Sequence, residues 1–459
     1  MDTAELRTRV AGEMPAAVAE LETLVRIPSI GHPGHDPAQV RRSAEATAEI
    51  LRDAGLQDVR LIELGDGAGH PAVFGQFPAP PDGHTALLYA HHDVQPEGPA
   101  DEWTTPPFEP VVRDGRLYGR GSADDKSGIV IHAAALRALA GELGVGIKVL
   151  VEGMEECSTE FLPELVEGHA DLLRADVAVV ADGGNYRTGV PTIGTSVRGV
   201  TDCTVEVSVL PQAQHSGSYG GPIPDAITAL SRMLASLHDE SGDVAILGLR
   251  RFEWQGTPFP EDEFRQESGV FDSVAMIGTG SLTDRLLSRP AVNVLGIDAP
   301  TVTASSNQIV PRARARVSLR LAPGDDPVAA RDAMVEHLRA AAPWGVHVAF
   351  EADEAGMGYM VDTATPAYRA ARDALAEAFG AEVMEMGSGG SIPLVPLLAR
   401  TFPGLPVLIW GAGDHRSAFH SIDESVDLGD LETMALSEAL FLRNLAESPR
   451  APVAARLSP

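Results

Sequence analysis

The stretch ALLYAHHD, residues 86–93, decides how this chain is read: an apolar run from Ala86 to Ala90 stops abruptly at two histidines and an aspartate. An uninterrupted apolar run of this length is the mark of a strand buried on both faces, and such strands belong to largely parallel sheets covered by helices. Three further runs have the same character: Ile147 to Val151 (IKVLV), Val177 to Ala181 (VAVVA) and Val407 to Trp410 (VLIW). Between them, Ser127 to Leu139 (SGIVIHAAALRAL) and Tyr368 to Phe379 (YRAARDALAEAF) carry apolar residues at helical spacing. The pattern predicts an α/β fold with a mostly parallel sheet, flanked by helices and assembled from both ends of the chain.

The middle of the chain reads differently. Thr201 to Leu210 (TDCTVEVSVL) and Ala313 to Leu321 (ARARVSLRL) alternate apolar and polar residues, and each precedes a helical stretch, DAITALSRMLASLHDE and PVAARDAMVEHLRAAA. Alternation with period two means one buried and one solvated face, as in an α+β layer. An inserted α+β domain over 198–356 is therefore expected, dividing the α/β domain into 1–197 and 357–459. Within the insertion, Trp254 to Asp284 is polar and weakly periodic and reads as a surface excursion. The last dozen residues, SPRAPVAARLSP, read as a frayed tail.

Composition excludes several classes. With 459 residues, 44% hydrophobic and 22% charged, the chain is ordinary globular protein, long enough for more than one domain. Its 35 basic and 65 acidic residues give a formal charge of −30, which repels phosphate backbones and anionic lipid. Neither nucleic acid nor a membrane surface is an expected partner. Two cysteines, Cys157 and Cys203, cannot build a disulfide framework, so a reducing compartment fits. The N-terminus is acidic and helix-periodic, unlike a secretory signal. The most apolar region, GIVIHAAALRALAGELGVGIKVL, is broken by His132, Arg137, Glu142 and Lys148, too polar to span a bilayer. A cytoplasmic protein is expected.

At the carboxyl end of each apolar run sits an acid or a histidine, and in open α/β sheets that edge is where ligands bind. The first runs into His91, His92 and Asp93; the second into Glu152 and then Glu155 and Glu156; the third into Asp182; the fourth, through a glycine-rich turn, to His420. The segment GRGSADDK, 119–126, places Asp124 and Asp125 at the start of a helix. Gathered in one crevice with Lys126 as the only evident cation, these acids would repel one another, and divalent metal resolves that. Carboxylates with two histidines suit zinc, or manganese and cobalt. Five ligands with one shared carboxylate would hold two metals roughly 3.5–4 Å apart, an arrangement that activates water.

His91 and Asp93, two apart in extended chain, project to one side, so one can ligate while the other orients it. His92 faces elsewhere and reads as a buried histidine with an ordinary hydrogen bond. Glu155 and Glu156, being adjacent, divide two tasks, metal binding and proton transfer from water. Any one of these pieces, in a chain with 65 acids, would be an ordinary solvated feature. Four strand ends presenting them together is the signal.

Seven motifs in order, YAHHDVQP, GRGSADDKSG, EGMEE, VVADGG, AQHSGSYGG, GGSIP and AFHSIDE, resemble the aminoacylase/carnosinase family of di-zinc metallopeptidases over nearly the whole chain, closest to its dipeptidase branch. The resemblance implies that His91 and Asp182 bind one metal and Glu156 and His420 the other. Asp124 would bridge both, with the peptide bond to Asp125 often cis. It further implies that Asp93 orients His91 and that Glu155 is the general base. The insertion would be a lid through which two copies dimerise, with His215 reaching into the partner's active site to stabilise an oxyanion. Arg320 would grip the substrate's terminal carboxylate beside Gly390 and Ser391, and Asn293 would add a polar contact. Two positions depart from the family pattern: Ser127 follows Lys126 where glycine is usual, and Cys157, read as a structural thiol, follows the glutamate pair. His415 reads as a surface residue or a support to the site.

The activity implied is metal-dependent hydrolysis of the amide bond of dipeptides, or similar small peptides with a free C-terminal carboxylate. The alternatives are an N-acyl-amino-acid deacylase of the same fold and, more remotely, a binding dimer without catalysis. HxDVQP, DDK rather than DMK, and the long lid favour the dipeptidase.

Overall fold

The computed structural model describes residues 1–448, apart from the side chains of 353 and 354; the expected tail beyond Ser448 lies outside the described residues. Two helices open the chain, α1 (Thr3–Val25) and α2 (Pro37–Asp53). Each starts where an aspartate side chain satisfies an otherwise orphaned amide: Asp2 accepts from Glu5 N–H, and Asp36 from Ala38 N–H with Pro37 in the first turn. Such caps contribute about 1 kcal/mol each.

Seven strands of a nine-stranded sheet follow, β1 (Gln57–Ile62), β2 (Ala72–Phe77), β3 (Thr85–His91), β4 (Gly146–Glu152), β5 (Val177–Val180), β6 (Thr192–Val197) and β7 (Val407–Ile409), in the sheet order β1-β2-β4-β3-β5-β7-β6. The four apolar runs are β3, β4, β5 and β7. They sit together at the centre and run parallel, with Tyr89 opposite Leu150 and Leu408 opposite Val179. Towards the edges β1, β2 and β6 pair antiparallel, so the mostly parallel sheet is parallel where its strands are buried on both faces. Leu87, Leu88, Tyr89 and Ala90 have no exposure; truncating one such leucine to alanine costs about 2–5 kcal/mol. Helices α3 (Lys126–Ala138), α4 (Pro366–Phe379) and α5 (Leu428–Glu447) also belong to this part.

Parallel direction is what matters for the site. It brings His91 and Glu152 to one edge as direct neighbours in register, with Asp182 just beyond the end of β5.

The chain divides into two compact units. The first comprises Met1–Thr195, Val361–Met386 and the residues from Ile392 onward; the second is Ser196–Met360 with Gly387–Ser391. Gly390 and Ser391, which the sequence reading placed in the segment 357–459, thus cluster with the second unit. That unit holds a four-stranded antiparallel sheet in the order Ala291–Asp298, Arg312–Leu321, Gly199–Ser208, His347–Gly356. The helices Ala226–Ala235 and Pro327–Ala340 cover one face, burying Val205, Val207, Leu230, Met233, Leu319 and Met334 in a common core. The edge strand Ala291–Asp298 leaves Val294, Leu295 and Ile297 exposed at 42%, 58% and 55%. The excursion from Trp254 to Asp284 is mostly exposed and contains one helix, Glu261–Ser268. Its ends meet where Trp254 N–H donates to Asp284 Oδ1 at 2.7 Å. Among the described residues, no helix is long and apolar enough to cross a membrane.

Candidate metal centre

His91 is the last residue of β3, and its side chain is buried. Its Nε2 lies 3.0 Å from Asp124 Oδ1, and its Nδ1 donates to the Asp93 main-chain carbonyl at 3.0 Å, with Asp93 Oδ1 at 3.6 Å. On the other side of Asp124, Oδ2 is 3.0 Å from His420 Nε2, which is itself 3.3 Å from Glu156 Oε1. Two groups of candidate ligands result, His91 with Asp124 and Asp182, and Asp124 with Glu156 and His420, the ligand atoms of each within 4.8 Å of one another. All five residues named from the sequence as ligands are brought together in the first unit, with Asp124 common to both groups. The Asp124–Asp125 peptide is cis.

The charges show what this donor set accommodates. Burial raises the Asp182 carboxyl above its usual range, helped by Asp124 and Glu156. Burial raises Glu155 likewise, with Asp182 adding to it. Burial acts on Asp124 in the same direction, but hydrogen bonds from His420 and His91 prevail and hold it below the ordinary carboxylate range. Burial works against charge on His91, but hydrogen bonds to Asp124 and Asp93 prevail and raise it well above the usual imidazole range, and His420 is pushed up to about 10 by hydrogen bonds to Asp124 and Glu156. Carboxylates that draw both imidazoles towards their charged form are short of positive charge. Oxygen and imidazole donors in this number fit divalent cations, which supply that charge at the same atoms.

The surroundings hold the ligands in place. Asp93 orients His91 through its main-chain carbonyl, while its carboxylate accepts Glu155 N–H at 3.2 Å and Glu156 N–H at 3.0 Å. That second task was not apparent in the sequence. Nor was that of Gln95, whose Nε2 donates to Glu156 Oε2 at 2.8 Å and to the Glu156 carbonyl at 3.2 Å. The signal was present, since the two-residue step from His91 to Asp93 continues to Gln95. Lys126 is not a counter-ion free to face the acids: its buried Nζ donates to the carbonyls of Leu24 and Ile27, both at 2.8 Å, tying the end of α1 beneath the site. Burial lowers its pKa to about 7. His92 is a buried histidine bonded to the Pro71 carbonyl at 2.9 Å. Glu155 lines a narrow recess with Glu152, Ser158, Thr159, Leu162, Pro393 and Leu394.

The remaining predicted residues lie in the second unit. His215 is exposed, and its Nδ1 accepts N–H from Gly217 at 3.1 Å and Ser218 at 3.2 Å, which leaves the proton on Nε2. Arg320 is half-buried, in register with Ala291 and Val200. Asn293 is exposed on the edge strand opposite Ser318. Gly390 is exposed and Ser391 half-buried. Arg198, which the sequence did not single out, links two of them: its N–H donates to the Gly390 carbonyl at 3.0 Å and its Nη2 to the Arg320 carbonyl at 3.2 Å. In the first unit, His415 is exposed. The Cys157 thiol is half-buried, with its pKa raised by burial, and Cys157 and Cys203 form no disulfide.

A shared carboxylate between two imidazoles, with further acids converging and a glutamate beside them, defines a metal-dependent hydrolase. The chain belongs to the peptidase family M20/M25/M40, whose model matches residues 87–444. It is 36% identical over 397 residues to a cysteinylglycine-S-conjugate dipeptidase of Corynebacterium striatum, spanning 83% of this chain and 87% of that protein. It is 27% identical over 441 residues to the beta-Ala-His dipeptidase of Homo sapiens, spanning 87% and 84%. Two solved structures share the fold. The dipeptidase Dug1p of Saccharomyces cerevisiae has a TM-score of 0.85 at 21% identity, covering 98% of this chain and 99% of that one. Human carnosine dipeptidase 1 has a TM-score of 0.81 at 24% identity, covering 97% and 99%.

Proposed function

We propose that the chain is a dipeptidase, cleaving the amide bond of dipeptides or similar small peptides with a free C-terminal carboxylate. The observation that carries this reading is Asp124 between two imidazoles, each of its oxygens 3.0 Å from one of them. In this reading two divalent ions, zinc first and manganese or cobalt as alternatives, would be held by His91 and Asp182 on one side and Glu156 and His420 on the other, with Asp124 shared. When bound, such ions polarise a carbonyl and make water acidic enough to attack at neutral pH. Glu155, its main-chain N–H fixed on Asp93, takes the proton from the attacking water and returns it to the leaving amine. The dipeptidase reading is preferred to the deacylase because the curated relatives named above are dipeptidases.

The second unit is assigned as the lid, over about 198–356 as read from the sequence. His215, with its proton on Nε2, is a donor suited to an oxyanion and would act in the active site of a second copy. Arg320 with Gly390 and Ser391 would hold the substrate carboxylate, a bidentate task suited to a guanidinium, and Asn293 would add a polar contact. A homodimer through the lid is supported by the edge strand Ala291–Asp298, an unpaired edge with exposed apolar side chains of the kind that seeks a partner. The proposed compartment is the cytoplasm, where two unbridged cysteines are at home.

The test exposes metal-reconstituted protein to a pool of dipeptides and N-acyl amino acids, with and without chelator, and follows each by mass spectrometry. Chelator-sensitive loss of dipeptides is expected. Loss confined to acyl amino acids would make the chain a deacylase, and no loss of either would leave a binding dimer. The dimer itself is tested by mixing two inactive variants, Glu155→Gln and His215→Ala. If His215 acts in the other subunit, mixed dimers regain one intact site, whereas activity absent at every mixing ratio would refute the crossed arrangement.

A further inference from the structure

The motif that supplies His420 ends in Glu424, a carboxylate with no task in the chemistry above. Glu424 has no exposure. Its Oε2 accepts from Arg120 Nη1 at 2.7 Å and from Gly121 N–H at 2.9 Å. Its Oε1 accepts from Ala123 N–H at 3.0 Å and Asp124 N–H at 3.1 Å. Its main-chain carbonyl accepts Gly119 N–H at 2.9 Å. The loop that ends on Asp124 is thus wrapped around one side chain. Arg120 extends the link in the other direction, its Nη2 donating to the Ser421 carbonyl at 3.0 Å, one residue beyond His420.

The loop bearing His420 needs such support. Ala418, His420 and Asp423 have φ of +54°, +58° and +56°, a left-handed conformation that residues with a Cβ adopt only where the surroundings over-determine it. Asp423 is held in turn by Thr104, whose N–H and Oγ1 donate to its carboxylate at 2.9 and 2.7 Å.

We infer that Glu424 is a positioning residue for the metal centre, fixing Asp124 and His420 relative to each other through buried hydrogen bonds in the absence of metal. The inference rests on the reading of Asp124 as the shared ligand. A carboxylate is required because four donors converge on it and it has no donor of its own. A glutamine would turn its NH₂ towards two of those donors and leave them unpaired in a buried place. Holding the ligands together before metal arrives matters because acids packed this closely otherwise relax away from one another.

The test is Glu424→Gln in the full chain, reading metal dissociation constants by competition with a chromophoric chelator, and the visible absorption of the Co²⁺-loaded protein. Roughly 10–100-fold weaker binding and an altered Co²⁺ spectrum are expected, with Glu424→Asp, which keeps the carboxylate, recovering part of the affinity. A variant that melts cooperatively and binds two equivalents with wild-type constants and spectrum would overturn the inference. Should Glu424→Gln fail to fold, hydrogen exchange in the wild-type protein decides. Amides of Gly121, Ala123 and Asp124 protected equally with and without metal support the inference; amides that exchange freely until metal is added show that the metal orders the loop. Wild-type protein that binds no metal would take down the functional reading itself, which separates that failure from this one.

Discussion

His420 Nε2 lies 3.0 Å from Asp124 Oδ2, although 296 residues separate them. One carboxylate therefore faces imidazoles from two distant parts of the chain, and if it is the shared ligand the two candidate groups should fail unequally. Asp124→Ala is expected to lose both metal equivalents, whereas His420→Ala should lose one and retain the other. Metal content after gel filtration measures this, and two equivalents retained by Asp124→Ala would disprove the shared-ligand arrangement.

Glu155 is beside the ligands without being one of them in this reading, so its removal should separate binding from chemistry. Glu155→Gln is expected to keep wild-type metal content while kcat falls by about 10²–10⁴. A near-normal kcat would assign the proton to another group.

Gln95 holds Glu156 by its carbonyl and its carboxylate. Gln95→Ala should weaken metal binding by about 10-fold or more while leaving the melting temperature of the metal-free protein near that of wild type. An unchanged metal affinity would reduce these bonds to packing.

His132 is buried on α3, its Nδ1 facing both oxygens of Glu438 at 2.8 and 2.9 Å and its Nε2 donating to the Tyr89 carbonyl at 3.1 Å. Burial works against its charge, but Glu438 prevails and the folded pKa is raised. A raised folded pKa adds stability that is fully present below the unfolded value, about 6.5, and is lost as pH rises through the folded value. The difference in unfolding free energy between wild type and His132→Gln should therefore shrink as pH rises above about 6.5, by at most ~1.4 kcal/mol per unit. Urea unfolding between pH 6 and 9 reads it, and parallel curves would mean that no proton is held there.

The strands that carry the site were legible because burial on both faces leaves a continuous apolar run, and β3, β4, β5 and β7 all show one. Those that stayed hidden have no such record. β1, reading QDVRLI, is exposed at half of its residues and buried only at Ile62, and Ala291–Asp298 keeps all but its first two residues exposed. Helix α3 was found to within a residue at each end, since His132 is the one polar interruption between Ile129 and Leu136.

By itself the sequence determined which donors are available and at which end of the sheet they stand, because side-chain chemistry and strand direction are both written in residue type. The tertiary structure decided how they are divided: that Asp124 faces both imidazoles, that Asp93 holds the amides of Glu155 and Glu156, that Lys126 is tied to α1, and that Glu424 clamps the loop before Asp124. Most of these links run to main-chain N–H and C=O groups. Every residue but proline carries both, so residue type alone does not say which of them will be met, and only the closure of loops far apart in sequence selects the partners.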